Sequence, residues 1–116
     1  GTIAKPPPSG SSRNTSAIFL HVEGVRVYNS TLKIFHLHGK DTSLYVVLQI
    51  AMVKYWSEGS TTSLCILEGE GTDFHSSIQL EDVHVVGGAL QLYYSAGCWG
   101  NVTIRDVAVA ESVIYP

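Results

Sequence analysis

Charge and long apolar runs are both scarce in this chain of 116 residues, and each scarcity excludes a class of protein. Charged residues make up 15% of the sequence, and the seven Lys and Arg residues are scattered singly. Nucleic-acid binding needs basic residues clustered on one face, so we expect no nucleic-acid partner. The most apolar stretch, 44–53, is interrupted by Gln49 and is about half the length that a membrane-spanning helix requires. The sequence therefore predicts no transmembrane segment.

Cysteine and asparagine are also few, but their positions are informative. The two cysteines, Cys65 and Cys98, allow one disulfide without implying it. Each of the three asparagines, Asn14, Asn29 and Asn101, begins an N-glycosylation sequon with Ser or Thr two positions later. Random placement would rarely produce this coincidence, so we expect a glycoprotein that is extracellular or displayed at the cell surface. No signal peptide is visible in the sequence.

Apolar residues are plentiful and follow a β pattern. The chain is 45% hydrophobic and has the length of one domain with a real core. Residues 1–16, with three consecutive prolines and several serines, are predicted to form a flexible Pro/Ser-rich tail. From residue 17 onward, Val, Ile, Leu, Tyr and Thr alternate with polar residues, and no window sustains a helical period. We therefore predict an all-β domain over 17–116.

An internal repeat indicates how the strands are arranged. The segment 22–27 aligns without a gap with 80–85 and again with 104–109, and apolar residues occupy positions 1, 4 and 6 of each copy. We place the remaining copy at 47–52, followed by an insertion rich in Tyr, Trp, Gly, Ser and Thr. The copies then begin at Val22, Val47, Leu80 and Ile104. Repeats of a few tens of residues are typical of stacked structural units.

The spacing within each copy predicts the kind of unit. Two residues separate the apolar positions 1 and 4, so a bend between them is needed to keep both side chains pointing inward. One bend, a second strand and a returning loop describe one coil of a parallel β-helix. The predicted inward columns are Val22, Val47, Leu80 and Ile104; Val25, Ile50, Val83 and Val107; and Val27, Met52, Val85 and Val109. The predicted outward column is Arg26, Ala51, His84 and Ala108.

The fold prediction is therefore a right-handed parallel β-helix (solenoid) of about four coils. An antiparallel β-sandwich is the alternative, because short alternating strands with glycine turns suit both architectures. The end coils of a solenoid expose apolar faces unless they are capped, and no capping helix is evident. We accordingly expect this chain to be a fragment of a longer β-helix or to cap its ends by association.

A known class carries the same strand-and-bend repeat. The stretch Asn101-Val102-Thr103-Ile104-Arg105-Asp106-Val107 resembles the repeat of the pectate-lyase-like β-helix superfamily, and the resemblance covers about 17–116. The sequon density and the Val- and Thr-rich coils are similar to the dispersed gene family surface proteins of trypanosomatids. The resemblance implies a non-enzymatic module for adhesion, host interaction or surface display, or alternatively a polysaccharide lyase or glycoside hydrolase.

Two acids are weak catalytic candidates. Asp82 and Asp106 occupy the same bend position in adjacent repeats, where a carboxylate pair could perform acid–base chemistry on a sugar. An acidic residue at a bend more often caps exposed backbone N–H groups. The signature motifs of the pectinolytic enzymes are missing, so we expect both acids to be structural. The sequence thus favours a non-enzymatic role and assigns no catalytic residue.

Three aromatic residues are the candidates for ligand contact. Tyr55 and Trp56 open the predicted insertion, and Trp99 lies in a glycine-flanked turn. Aromatic rings exposed on loops serve as platforms for sugar rings or for partner proteins. The sequence therefore suggests carbohydrate or a host or cell-surface protein as partner.

A pair of histidines invites a metal hypothesis. His36 and His38 share one face of a predicted strand and could together hold zinc. A third ligand is not obvious, with Asp41 and His21 as the only candidates. Solvated histidine is the simpler interpretation. We therefore predict neither a metal nor a cofactor.

Overall fold

The computed structural model describes residues 2–3, 14–39, 41–94 and 98–115, and its regular secondary structure there is entirely β. The strands are β1 (Thr2–Ile3), β2 (Asn14–Glu23), β3 (Arg26–Tyr28), β4 (Thr31–His38), β5 (Leu44–Glu68), β6 (Asp73–Tyr94) and β7 (Trp99–Tyr115). They wind into a right-handed parallel β-helix, which confirms the predicted fold class, but the structure has about three turns where about four coils were predicted. Among the described residues, no helix has the length and apolarity needed to cross a bilayer.

Successive coils stack in parallel register. Strands β2, β3 and β4 form the first coil and all pair with β5, which forms the second. Strand β6 forms the third coil and pairs with both β5 and β7. In one column Leu20 pairs with Ile50, and Ile50 pairs with Ile78. Because the ladders between coils are parallel throughout, the antiparallel sandwich is excluded.

The second repeat begins further along the chain than predicted. Met52, and not Val47, pairs with Val22 and with Leu80, so the copies begin at Val22, Met52, Leu80 and Ile104. In the next inward position Tyr55, and not Ile50, pairs with Val83. The predicted copy at 47–52 and the insertion after it are therefore wrong.

Side-chain size explains that error. The true second copy carries Tyr55 and Ser57 at the two positions where the other copies carry valine. Both point inward, with 1% and 0% of their surface exposed. A large residue beside a small one fills the interior as two valines would, because interiors conserve volume more strictly than residue type. A search for apolar residues at every inward position therefore misses the copy that carries Tyr55 and Ser57.

The predicted bend is confirmed, and it occurs at the same residue of every coil. Position 3 of the repeat adopts a left-handed backbone at Gly24, Lys54, Asp82 and Asp106, with φ between 54° and 69°. A second left-handed corner follows shortly afterwards at Asn29, Gly59 and Gly87, with φ between 48° and 62°. These corners turn the chain so that the apolar side chains after each corner again point inward. Each of these coils therefore has two corners marked by a left-handed backbone conformation.

Side chains fill the interior along the central coils. Among the most deeply buried residues of the core are Leu48, Ile50, Met52, Leu64, Phe74, Ile78, Leu80, Val83, Val85 and Leu90. The ring of Phe74 in the third coil lies 5.5 Å from that of Phe35 in the first. Inward residues of β2, such as Leu20 and Val22, are only partly buried, because within the described residues their coil is covered on one side. The core is therefore densest in β5 and β6.

Part of the predicted tail pairs with the β-helix. Strand β2 begins at Asn14, so residues 14–16 belong to the first coil. Thr2 and Ile3 pair in antiparallel fashion with Asn101 and Gly100 of β7. The remainder of the predicted tail, residues 4–13, lies outside the described residues.

Candidate functional site

Three outward side chains form a ladder across adjacent coils, immediately after the first corner. Arg26 pairs with Trp56, and Trp56 pairs with His84, so the three residues lie on consecutive rungs. We call this set the Trp56 ladder. Rungs of a sheet are about 4.8 Å apart, a spacing that brings neighbouring side chains into contact. The sequence predicted Arg26 and His84 in one outward column but placed Ala51 between them, and the corrected register puts a tryptophan there.

Hydrogen bonds and ring packing fix the orientation of the ladder. The indole Nε1–H of Trp56 donates to Glu58 Oε1 at 3.0 Å. The Trp56 and His84 rings pack with their centroids 5.5 Å apart and their planes 32° apart. The imidazole Nε2–H of His84 donates to Asp82 Oδ1, also at 3.0 Å. The half-buried indole is therefore held in place while part of its surface faces solvent.

A shallow depression of about 340 Å³ lies beside the ladder. It reaches from the ladder to the corner residues Gly24, Lys54 and Asp82. Its volume is at the lower end of the range for small-molecule sites. Charges of both signs surround it, from Arg26 and Lys54 on the one hand and Asp82 on the other. Such a surface suits a polar ligand with an apolar face better than a lipid-like one.

The three predicted aromatic contacts have different environments. Tyr55 is in the core and not on the surface, which corrects the exposure that its placement in a loop predicted. Its hydroxyl is hydrogen-bonded to Thr62, and burial raises the pKa of the phenol. Trp99 begins β7 opposite His75, and its side chain lies outside the described residues. Of the three, Trp56 is the ring that the structure shows at the surface.

The two weak catalytic candidates lie at corners. Asp82 and Asp106 both have φ of 54°, in the left-handed region that Asp tolerates better than most residues. Both carboxylates are exposed, and Asp82 accepts the hydrogen bond from His84. Asp106 Oδ2 lies 3.8 Å from Arg105 Nε at the surface. Their placement at the turn fits the structural role that the sequence favours for both.

The predicted glycosylation sites are all accessible. Asn14, Asn29 and Asn101 are exposed, and so is the Ser or Thr two positions after each. Asn14 is on the first strand of the first coil, Asn29 is at its second corner, and Asn101 is on β7. The structure therefore leaves room for a glycan at each sequon.

The two cysteines meet inside the coil stack. Cys65 Sγ lies 3.3 Å from Cys98 Sγ, and both residues are buried as free thiols. The hydrogen bond to Cys98, followed by burial, raises the pKa of Cys65, whereas the same bond lowers the pKa of Cys98. The pair links the second coil to the residue that precedes β7. The number of cysteines allowed a disulfide without implying it, and the predicted repeat alignment did not bring the two residues together.

The histidine pair has a partner that the sequence analysis missed. His36 and His38 of β4 both contact Glu68, the last residue of β5, while neither Asp41 nor His21 joins them in a ligand set within the described ranges. His38 pairs with Glu68 because the first two coils are stacked in register. A second repeat placed correctly at Met52 would have identified Glu68. The predicted start at Val47 did not.

Comparison with family models, with curated proteins and with solved structures finds no match. The function has to be inferred from the geometry of the chain itself.

Proposed function

We propose that the protein is a non-enzymatic β-helix module of an extracellular or cell-surface glycoprotein, and that it binds carbohydrate through the Trp56 ladder. The observation that carries the proposal is the partly exposed indole of Trp56, oriented by Glu58 and by the ring of His84. Surface display and adhesion are the roles that such a module would serve.

The chemistry of the ladder matches that of a sugar. One face of a pyranose ring carries C–H groups that pack on an aromatic ring, and its rim carries hydroxyls that need donors and acceptors. Trp56 supplies the ring, Arg26 and Lys54 supply donors, and Asp82 supplies acceptors. These side chains border one depression, so a single saccharide can reach all of them.

The β-helix provides a stiff scaffold for this surface. Two of the three ladder residues, Trp56 and His84, come from strands whose inward neighbours are almost fully buried, such as Val83 and Val85 on either side of His84. Sites on regular strands keep their geometry better than sites on long loops. Binding therefore requires little ordering of the protein, which reduces the entropic cost for a weakly contacting ligand.

Two features of the sequence support the proposed location and family. The sequons at Asn14, Asn29 and Asn101 are exposed, as glycan attachment in the secretory pathway requires. The strand-and-bend repeat supports membership of the pectate-lyase-like superfamily, and the sequon density supports a likeness to the trypanosomatid surface proteins. For polysaccharide cleavage there is no comparable support in the described part of the chain, because Asp82 and Asp106 are exposed corner residues.

A fluorescence titration tests the proposal. The chain has two tryptophans, so the variant Trp99→Phe leaves Trp56 as the only indole. Titration of this variant with a panel of neutral and acidic oligosaccharides should change its emission for at least one member. The variant Arg26→Gln should weaken that binding, while Lys33→Gln, an exposed cation of β4 outside the depression, should not. Emission unchanged across the panel, together with no binding by calorimetry, would contradict the proposal.

A further inference from the structure

A compact cluster of potential metal ligands lies on a different face from the Trp56 ladder. His36 Nε2 is 3.0 Å from Glu68 Oε2, and His38 Nδ1 is 2.9 Å from the same oxygen. The ligand atoms of the three residues all lie within 4.8 Å of one another. The three side chains expose 30%, 76% and 40% of their surface, so an ion in solution can reach them.

The hydrogen bonds around Glu68 suit an ion. Its carboxylate can only accept, so His36 Nε2 and His38 Nδ1 each donate an N–H to Oε2. One oxygen receiving two donors marks a position of concentrated negative charge. A cation with unfilled coordination positions could replace both N–H protons there.

We propose that His36, His38 and Glu68 form a binding site for a divalent transition-metal ion, of which zinc fits best. Two imidazoles and one carboxylate are a ligand set that zinc uses where it keeps a position open to water or substrate. Magnesium and calcium prefer sites made of oxygen alone, so they should bind much more weakly. On binding, each neutral imidazole moves its proton to its other ring nitrogen by exchange with solvent, to Nδ1 in His36 and to Nε2 in His38, and donates the lone pair freed on His36 Nε2 or His38 Nδ1 to the metal, with no net release of protons.

Two of the three separations between ligand atoms require only small movements, and the third, between the imidazole nitrogens, is within 4.8 Å and has to reach about 3.3 Å by side-chain rotation. Ligands about 2.0 Å from a tetrahedral zinc ion lie about 3.3 Å from one another. The two N···O separations are now 3.0 Å and 2.9 Å, so the ligands must move apart by a few tenths of an ångström to admit the ion. Exposed side chains make such movements by rotating about their χ angles. The rings of His36 and His38 already stand at 70° to each other with their centroids 6.1 Å apart, which leaves space between them.

The backbone beneath the cluster is held firmly. Leu37, between the two histidines, packs against the core, and its partner Leu67 is buried. The N–H of Gly39 donates to the carbonyl of Glu68 at 2.8 Å, which ties the ends of β4 and β5 together. A Cβ added to Gly69 would collide with the carbonyl oxygen of Gly39, so the two chains approach there as closely as glycine allows. The fold therefore fixes the backbone positions from which the three ligand side chains extend.

Metal titration of the full chain tests this site. Zn²⁺ should bind with a stoichiometry of one by calorimetry, and Co²⁺ should give the visible absorption of a nitrogen- and oxygen-ligated site. Replacing a ligand by His38→Gln or Glu68→Gln should weaken binding by at least roughly tenfold, since even the loss of a supporting hydrogen bond to a ligand costs about 10–100-fold. Lower pH should weaken binding as well, because imidazolium has no lone pair to donate.

A matched control comes from elsewhere in the chain. His84 is also a partly exposed histidine bonded to a carboxylate, that of Asp82, but it belongs to no ligand cluster among the described residues. The variant His84→Gln should bind Zn²⁺ as tightly as the unmodified protein. Equal affinity in His38→Gln, His84→Gln and the unmodified protein would overturn the proposal, and so would the absence of binding at millimolar Zn²⁺.

The two thiols are also potential zinc ligands, so the titration is repeated in a variant that lacks both cysteines. The double variant Cys65→Ser, Cys98→Ser should keep the metal affinity, and its Co²⁺ complex should lack the intense near-ultraviolet absorption of thiolate ligation. Loss of binding in this variant, with circular dichroism unchanged, would assign the metal to the cysteines and reject the histidine site. Because Trp56 is not involved, failure of carbohydrate binding would leave this result unaffected.

Discussion

Tyr55 Oη and Thr62 Oγ1 are joined by a hydrogen bond of 2.5 Å inside the second coil, where both residues are almost completely buried. The bond satisfies the one polar atom of a large ring that stands in a column of valines. A tyrosine can therefore replace a valine there without leaving a buried hydroxyl unpaired.

This bond gives the first stability prediction. Tyr55→Phe leaves Thr62 without its partner and should lower the free energy of unfolding by about 1–2 kcal/mol. Tyr55→Ala also opens a cavity and should cost about 3–5 kcal/mol. Urea denaturation followed by circular dichroism measures both. The double variant Tyr55→Phe, Thr62→Val removes both hydroxyls and should be more stable than the sum of the single losses predicts. If the stability loss of the double variant equalled the sum of the losses of Tyr55→Phe and Thr62→Val, the two hydroxyls would not be hydrogen-bonded to each other.

The corner residue Lys54 supports a second prediction. Its φ of 54° is a conformation that glycine adopts freely and that β-branched residues resist. Lys54→Gly should leave the stability nearly unchanged, whereas Lys54→Val should lower it by roughly 1–2 kcal/mol. Thermal or urea unfolding compares the pair. If Lys54→Val and Lys54→Gly had the same free energy of unfolding, the backbone at this corner would not be left-handed.

Gly69 tests the close approach of neighbouring coils. Gly69→Ala introduces a Cβ that would collide with the carbonyl oxygen of Gly39, so it should cost about 3 kcal/mol or more. The control is Gly24→Ala, since Gly24 also has a positive φ but no atom within 4 Å of the added Cβ. Gly24→Ala should show only the strain of the left-handed backbone, about 1 kcal/mol. Equal losses in the two variants would show that the coils are not in contact at Gly69.

The cysteine pair predicts a response to oxidant. Mild oxidation should form a bond between Cys65 and Cys98 with little change in backbone, and it should raise the free energy of unfolding by about 3–4 kcal/mol through loop closure. Thiol titration in denaturant should then fall from two groups to none. Before oxidation, the burial of both thiols should make their reaction with thiol reagents slow in the native protein. Two groups still titrating after oxidation would show that the sulfurs do not approach each other.

The sequence was sufficient to predict the fold because three of the four repeat copies are regular. Val22, Leu80 and Ile104 begin copies whose inward positions are apolar, and their register is confirmed apart from the copy between them. The second copy escaped detection for a physical reason. Burial selects for volume and for satisfied hydrogen bonds, and Tyr55, bonded to Thr62 and next to the small Ser57, fits the column without looking like a core valine.

The candidate sites depend on register even more strongly than the fold does. Trp56 was identified as an aromatic candidate, but its neighbours Arg26 and His84 could be assigned only once the length of each coil was known. Glu68 was missed for the same reason, since a carboxylate one full coil away from His38 has no visible relation to it in the sequence. Contacts between coils are set by the number of residues in each turn, and an error in that number for one turn displaces every cross-coil neighbour of that turn.

The coil made of β2, β3 and β4 has a neighbour on one side only within the described residues, and its inward side chains are correspondingly less covered. Local opening should therefore start there and spread inward, so backbone amides of β2 should exchange with deuterium before those of β6. Arg26 belongs to this outer layer while Trp56 belongs to the next. A saccharide bound to both residues would link the first coil to the second. It should therefore slow deuterium exchange in β2, although it makes no contact with the core.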